Sequence, residues 1–488
     1  MPTILLAIPF GQTVRDVLYS DTWRTLRRTP DLRLVIATQA ANDPRFIQAF
    51  AAPNVHIEPL HPYTPGRFEH TLRSFHLATL RKKSSTIAMY SQDPSYDGGL
   101  RRLTPLADAA QSVLGDAKLN GLLSWASLNL APTCQYADLF DKYQPDLVVV
   151  TRVLGSSPDF PILKQAAQRQ IPVLALVSSW DNFTSKGFFP FGVNWLVVWN
   201  EVMRNEAIEM FGFPAERIFL SGIPRFDPYF RGKGFRSRET FFAELGLDPH
   251  KPLITFATAT RHLLVSPHDA TSPEPEIVAY LAEAIAANAF GREAQLLVRL
   301  HPLADLAAYA PLAAHPCVTL QVPGQQQGAF VDRTFSRADD RELAETMCYS
   351  DVVVNIASTT TIDAAVFDTP VVGIGFDMRG ERPFLHSPRR FYAYEHYRKL
   401  GETGGFRVAW VKEDLIRHVR AYLDQPSLDR NGRLHIVRQQ CHTTDGRAGE
   451  RVGQHILTIL QQICAEKLDI REPQPTHLQS PIPNLPQP

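Results

Sequence analysis

Short apolar runs, each closed by a polar or proline-containing break, recur along the chain with amphipathic stretches between them. In the first half the runs are TILLAIPF, LRLVIAT, VHIEPL, PDLVVVTRV, IPVLALVS, WLVVWN and RIFLSG. They are short and rich in β-branched residues, so each predicts a strand. The intervening stretches repeat apolar residues at helical spacing, as PDFPILKQAAQRQ does ahead of IPVLALVS. After the polar, proline-bounded joint GLDPHKP the alternation starts again. It runs through strand LITFATAT, helix EPEIVAYLAEAIAANAF, strands QLLVRLHP and VTLQV, helix DRELAETMCYS, strand DVVVNIAS, helix TTTIDAAVFD and strand TPVVGIGF. Strands alternating with helices predict an α/β protein whose parallel sheets are covered on both faces. Two such series predict two Rossmann-like, doubly wound domains facing a central cleft, over residues 1–235 and 236–430. A C-terminal helical segment, 431–466, and a disordered proline-rich tail, 467–488, complete the expected organisation.

Composition narrows the class. A chain of 488 residues exceeds one core, and 44% hydrophobic with 20% charged residues fits a globular protein. The 50 basic and 50 acidic residues cancel, which argues against a nucleic-acid partner and leaves phosphate binding to a local site. Five scattered cysteines without C-x-x-C spacing predict reduced thiols and a cytoplasmic location. The apolar start MPTILLAIPFG lacks a basic flank and is too short to span a bilayer, so it reads as a first strand. Between Gly66 and Arg102 seven Lys/Arg face three acids, and Leu72, Phe75, His76 and Leu80 interleave with Arg73, Arg81, Lys82 and Lys83. This segment reads either as a charged outer helix or as a peripheral contact with the inner face of a membrane.

Candidate chemistry gathers at strand ends, where open α/β sheets bind ligands. In SDVVVNIASTTTIDAAVFD a buried strand ends in Ser358, Thr359, Thr360 and Thr361, which open a helix; hydroxyls and amides there suit a diphosphate. Asp363, on its first turn, is placed to reach ribose hydroxyls, though an acid also suits a helix start without any ligand. Arg299 and His301 in LLVRLHP, and Arg261 in FATATRH, close neighbouring strands and supply cations toward the same edge. His301 can also donate a proton to the leaving group. Further cleft candidates are Gly11 after the first strand, where Arg15 and Asp16 read as a helix-start pair, Arg225 in GIPRFD at the joint, and His396 in the polar loop EHYRKLGETGG.

The elements ATATR, RLHP, NIASTTTIDAAVFDTPV and DGRAGERV, in that order over the second half, resemble the GT-B glycosyltransferases. The likeness is to their CDP-glycerol glycerophosphotransferase-like branch, with its APTFR, basic residue before His-Pro, D-Y-S-S-x-x-x-D before DKPV, and DGKASERI. That branch carries WHGTPLK after a buried first-domain strand; here the corresponding residues are WDNFTSK, Trp180 to Lys186. Asp181 and Asn182 stand for the branch's histidine and glycine, so the resemblance implies Asp181 as the base, provided burial raises its pKa. Lys186 would position charge. The WDNFTSKG form resembles bacterial surface-carbohydrate proteins and implies sugar transfer from a nucleotide-sugar or CDP-alditol donor to a carbohydrate or lipid-linked acceptor. Domain closure about residues 223–252 would complete the site. No D-x-D pair or His/Cys ligand cluster occurs, so neither a metal nor a cofactor is expected. Glycerophosphate transfer, a nucleotide-sugar 2-epimerase and a catalytically silent nucleotide-binding scaffold are the alternatives.

Overall fold

The computed structural model describes residues 1–9, 11–92, 98–152, 157–187, 191–232, 234–259, 272–301, 304–324 and 337–469. The first seven apolar runs form β1 (Thr3–Ile8), β2 (Arg33–Thr38), β3 (Val55–Pro59), β4 (Leu147–Val150), β5 (Val173–Leu176), β6 (Trp195–Val198) and β7 (Ile218–Leu220). They make one parallel sheet in the order β3-β2-β1-β4-β5-β6-β7. The second series forms β8 (Leu253–Ala257), β9 (Gln295–Arg299), β10 (Val318–Gln321), β11 (Val352–Asn355), β12 (Val371–Ile374) and β13 (Arg407–Ala409), ordered β10-β9-β8-β11-β12-β13. Strand order reverses between β1 and β4 and again between β8 and β11, and crevices at such reversals are where doubly wound sheets take ligands.

Each sheet is buried on both faces, which is why its strands read as continuous apolar runs. One cluster joins residues of the two sheets, including Val148, Val150, Val353 and Val371. The outer layer of the first sheet is finished by the C-terminal helix Ala448–Asp469, whose Val452, Ile456, Ile459, Leu460 and Ile463 pack with Ile4, Leu6 and Val149. The helix runs three residues into the expected 467–488 tail, and the rest of that tail, from residue 470 onward, lies outside the described residues. The motif DGRAGERV is the joint of this return. The Ala448 and Gly449 amides donate to the two oxygens of buried Asp227 at 2.8 Å each, and Arg451 donates to the Ser221 carbonyl at 2.9 Å.

The connection expected to act as a hinge is bonded to both units. Ile223 is buried, Tyr229 donates to Asp363 at 2.9 Å, and Arg236 meets Glu345 through its amide at 2.6 Å and its Nε at 2.9 Å.

A buried acid in the second unit makes folding pH-dependent. Glu274, 1% exposed, accepts from the Ala259 amide at 2.7 Å and the Tyr309 hydroxyl at 3.0 Å, and burial pushes its pKa up to about 7. A folded-state pKa above the ordinary 4.5 gives a contribution that is full at low pH and is lost as pH rises through the folded value. Glu274→Gln is therefore expected to remove a pH-dependent component of about 2–3 kcal/mol between roughly pH 5 and 8. Urea midpoints of both proteins at the two pH values check this; parallel profiles would overturn it.

Candidate functional site

The chain leaving β5 turns back on itself. Ser185 donates through its amide to the Asp181 carbonyl at 2.9 Å and through its hydroxyl to the same carbonyl at 2.8 Å. Ser84 holds the Thr184 carbonyl at 2.7 Å. Trp180, Asn182, Phe183, Thr184 and Ser185 are all buried, so much of this polar-looking stretch is anchor. Asp181 and Lys186 project from it, with Lys186 Nζ 3.1 Å from the Asp181 carboxylate. Ser179 also donates to that carboxylate. Burial alone would raise the Asp181 pKa, but Lys186 first, then His396 and the Ser179 hydroxyl, hold it well below the usual carboxylate range. The structure thus corrects the sequence expectation of a raised pKa: the group is a fixed anion, because three partners outweigh desolvation.

The second unit brings His396 to this loop. The predicted polar loop is in fact the helix Glu395–Gly401, pinned to the first unit by Thr86, which accepts from the Glu395 amide at 2.8 Å, and by a Lys399–Glu206 pair at 3.0 Å. His396 lies edge-on to Trp180 with ring centroids 4.9 Å apart. Its Nδ1 is buried without a hydrogen-bond partner among the described residues, and burial lowers its pKa to about 4 despite Asp181. Trp180 also packs on Tyr397 at 5.7 Å. The Tyr397 hydroxyl meets Thr361 Oγ1 at 2.8 Å and donates to the Ser358 carbonyl at 3.4 Å. One aromatic ring therefore separates the Asp181 loop from the Ser358 turn.

Within that turn the roles divide. Ser358, Thr359 and Thr360 are half-buried beside the cleft. Thr361 is fully buried, its hydroxyl within reach of Asn355 Nδ2 at 3.1 Å as well as Tyr397, so it braces the turn instead of facing a ligand. Asp363 departs from its expected ribose contact. It is 3% exposed and accepts the Tyr229 hydroxyl across the joint, and burial raises its pKa. Arg299 departs likewise from a phosphate role: its guanidinium is buried on Gln321 at 2.6 Å and Glu342 at 3.1 Å. His301 follows β9 half-buried, its amide held by Thr258 Oγ1 at 2.7 Å. Arg261 lies outside the described residues.

On the first unit Gly11 opens a short helix after β1. Arg225 stacks on Trp199 at 4.9 Å and Phe226 at 5.0 Å and sits 3.7 Å from Asp16. Sequence reasoning treated Arg15 and Asp16 as a local pair. The structure separates them: Arg15 pairs with Asp340 of the second unit, and Asp16 lines a small pocket with Thr151, Ser178, Trp199, Ser221 and Pro224 at the strand-order reversal. Both Asp16 oxygens are buried without hydrogen-bond partners among the described residues. Its position just beyond β1 was the one signal available. In the 66–102 segment Arg81 and Lys82 pair with Asp108, and Lys83 pairs with Asp116. Among the described residues no helix is long and apolar enough to cross a membrane, and no group of three His, Cys, Asp or Glu side chains could hold a metal ion.

Residues 173–458, more than half of the chain, match the family model described as CDP-Glycerol:Poly(glycerophosphate) glycerophosphotransferase. No curated protein matches the sequence. Among solved structures, UDP-GlcNAc 2-epimerase from Neisseria meningitidis bound to UDP-GlcNAc is similar, with a TM-score of 0.52 and 10% identity over 93% of this chain and 100% of that one. S. aureus MnaA with UDP gives a TM-score of 0.56 and 12% identity over 94% and 97%. A putative UDP-N-acetylglucosamine 2-epimerase from Listeria monocytogenes gives 0.53 and 12% over 97% and 98%. At such identities the likeness establishes the fold alone.

Proposed function

This chain belongs to the CDP-glycerol:poly(glycerophosphate) glycerophosphotransferase family, within the GT-B superfamily, and from that premise we propose that it moves an alditol phosphate from a CDP-linked donor to an acceptor hydroxyl. The observation that carries the reading is the meeting of Asp181 and His396 from opposite units, one ring away from the Ser358 turn. In this reading the donor diphosphate lies against Ser358, Thr359 and Thr360, with Lys186 and His301 as its cationic and hydrogen-bonding neighbours. Asp181 orients a carbohydrate or lipid-linked acceptor hydroxyl and takes its proton. The acceptor oxygen bonds to the β-phosphorus, the bond from that phosphorus to the bridging oxygen breaks, and CMP leaves. No step of this displacement calls for a metal.

A second reading, sugar transfer, is favoured by Asp181 standing where the resembling branch has histidine, and by fold neighbours solved in complex with UDP-GlcNAc. There the bond at the anomeric carbon breaks and a nucleoside diphosphate leaves. The two are told apart by the nucleotide released. A thermal-shift panel of CDP-glycerol with CDP-, UDP- and GDP-linked sugars comes first: a true donor at a hundredfold its Kd should stabilise the fold by about 2.7 kcal/mol. CMP release from CDP-glycerol is then the expected product. Release of a nucleoside diphosphate moves the conclusion to sugar transfer, and stabilisation by none of the donors overturns the donor site itself.

A further inference from the structure

The carboxyl ends of β1, β4, β5, β6 and β7 surround one small pocket, lined by none of the residues given a part in the transfer. Leu176, Val177, Val197, Trp199 and Val452 give it apolar walls. Asp16 reaches it from a short π-helix, Val14–Leu18, a geometry that recurs at functional sites. Asp16 is 8% exposed, and both its carboxylate oxygens are buried without a hydrogen-bond partner among the described residues. Arg225, its side chain also 8% exposed, brings Nη1 to 3.7 Å, beyond hydrogen-bonding distance, and that nitrogen is buried without a partner too. Burial raises the Asp16 pKa, with Arg225 and Arg15 opposing, as in a carboxylate short of donors. Stranding two charged groups in this way is costly, so the gap between them suits a group that both accepts and donates.

The pocket selects its occupant by charge and by hydrogen-bond sense. Asp16 balances Arg225, and Arg15 is paired with Asp340, so the site is neutral and favours neither a phosphate nor an ammonium group. Thr151 Oγ1 donates to the Ala7 carbonyl at 3.0 Å and Ser221 Oγ to the Gly222 carbonyl at 2.8 Å, so both can only accept from an occupant. A ligand must therefore bring hydroxyl hydrogens without bringing charge. A hydroxyl about 2.8 Å from each side of the Arg225–Asp16 gap accepts from Nη1 and donates to the carboxylate, and one on the adjacent carbon donates to the second Asp16 oxygen. The pocket has room for about two such groups and not for a ring. We propose that Asp16 and Arg225 form a subsite for the 1,2-diol of an uncharged polyol or sugar, the hydroxyls beside the one that reacts. Ser178 lines the pocket, and the next residue, Ser179, donates to Asp181. A diol held there lies along the same strand end as the group that takes the acceptor's proton. The pair then acts as a filter for hydroxyl-ended over phosphate-ended acceptors. That role rests on the transfer reading, while diol binding itself needs no donor.

Saturation-transfer NMR on the full chain, without nucleotide, tests this with glycerol, propane-1,2-diol and propane-1,3-diol as probes and with ammonium chloride and sodium phosphate as competitors. Glycerol and propane-1,2-diol should take up saturation, and the 1,3 isomer at least about fivefold less. Neither salt should displace glycerol beyond the effect of sodium chloride at equal ionic strength. Asp16→Asn should weaken glycerol binding at least about tenfold. By leaving Arg225 without a counter-charge it should also let inorganic phosphate bind, read as broadening of the phosphorus NMR line. Asp16→Asn/Arg225→Gln restores neutrality and should bind neither. If melting curves show Asp16→Asn to be unfolded, Arg225→Gln carries the test, with the same loss of glycerol and no gain of phosphate. Equal saturation of the two propanediols, displacement of glycerol by phosphate or ammonium in the native chain, or glycerol binding unchanged in the single variants overturns the proposal. So does a native chain that takes no saturation to glycerol at all. Donor stabilisation is scored separately, so a failed diol site leaves the transfer reading standing, and a failed donor site leaves the diol site standing.

Discussion

Asp181→Asn is expected to lower kcat by about two to four orders of magnitude while donor binding and the fold persist. The geometry argues for both halves of that outcome. Asparagine keeps the shape of the carboxylate and its contact with Ser185, and Lys186, 42% exposed, stays solvated when its partner loses charge. What disappears is a fixed negative charge beside the cleft. Held well below the usual carboxylate range by Lys186, His396 and Ser179, Asp181 is too weak a base to take a proton early. A loose phosphoryl-transfer transition state asks for less, an anion that orients the hydroxyl and accepts its proton late. The charge of Asp181 is present above the ordinary carboxylate pKa and is lost only as pH falls through its depressed folded value. His396, with a pKa of about 4, is neutral over the same range. The acid side of the pH–rate profile should therefore be flat down to about pH 5. An acid limb near pH 6–7 that persists in the variant, or a variant with native kcat, would place the base elsewhere.

Asp227→Ala is expected to cost about 3–5 kcal/mol of stability, the largest structural effect among single truncations at the joint. Asp227 is buried and accepts both the Ala448 and Gly449 amides. Burial pushes its pKa up to about 6 while those two amides oppose the shift. Alanine would strand two buried donors at the start of a helix, where four amides already lack partners inside the helix. The loss should concentrate in Ala448–Asp469, so hydrogen exchange there should accelerate before it does in β1 and β4. Asp227→Asn, retaining one acceptor, should lie between. Uniform loss of protection, or none, would show that the helix is held by its apolar face alone.

The sequence exposed the fold more fully than the site, for a physical reason. Strands buried on both faces have to be apolar throughout, so β1, β4, β8 and β11 were plain as runs. β13 was missed because it is three residues long and begins with Arg407, and the helix Glu395–Gly401 was read as a loop because its outward positions are charged. At the site, strand-end position drew attention to Arg299 and Asp363, but position does not reveal partners. Glu342 and Tyr229, which occupy those two side chains, come from distant stretches of chain. Arg15 and Asp340 pair across more than three hundred residues, and no periodicity announces such a meeting. The motif DGRAGERV was legible as a signature and not as a joint, since its acceptor Asp227 lies 221 residues before Ala448.

That joint has a consequence in time. A ribosome delivers the first sheet before the second, yet the helix that covers one of its faces follows the whole second unit. Until then Ile4, Leu6 and Val149 lack part of their cover, and the second unit, wholly encoded in between, can close first. The half that is made first is completed last, so a nascent chain passes through a stage in which a native-like second unit is tethered to an open, aggregation-prone sheet.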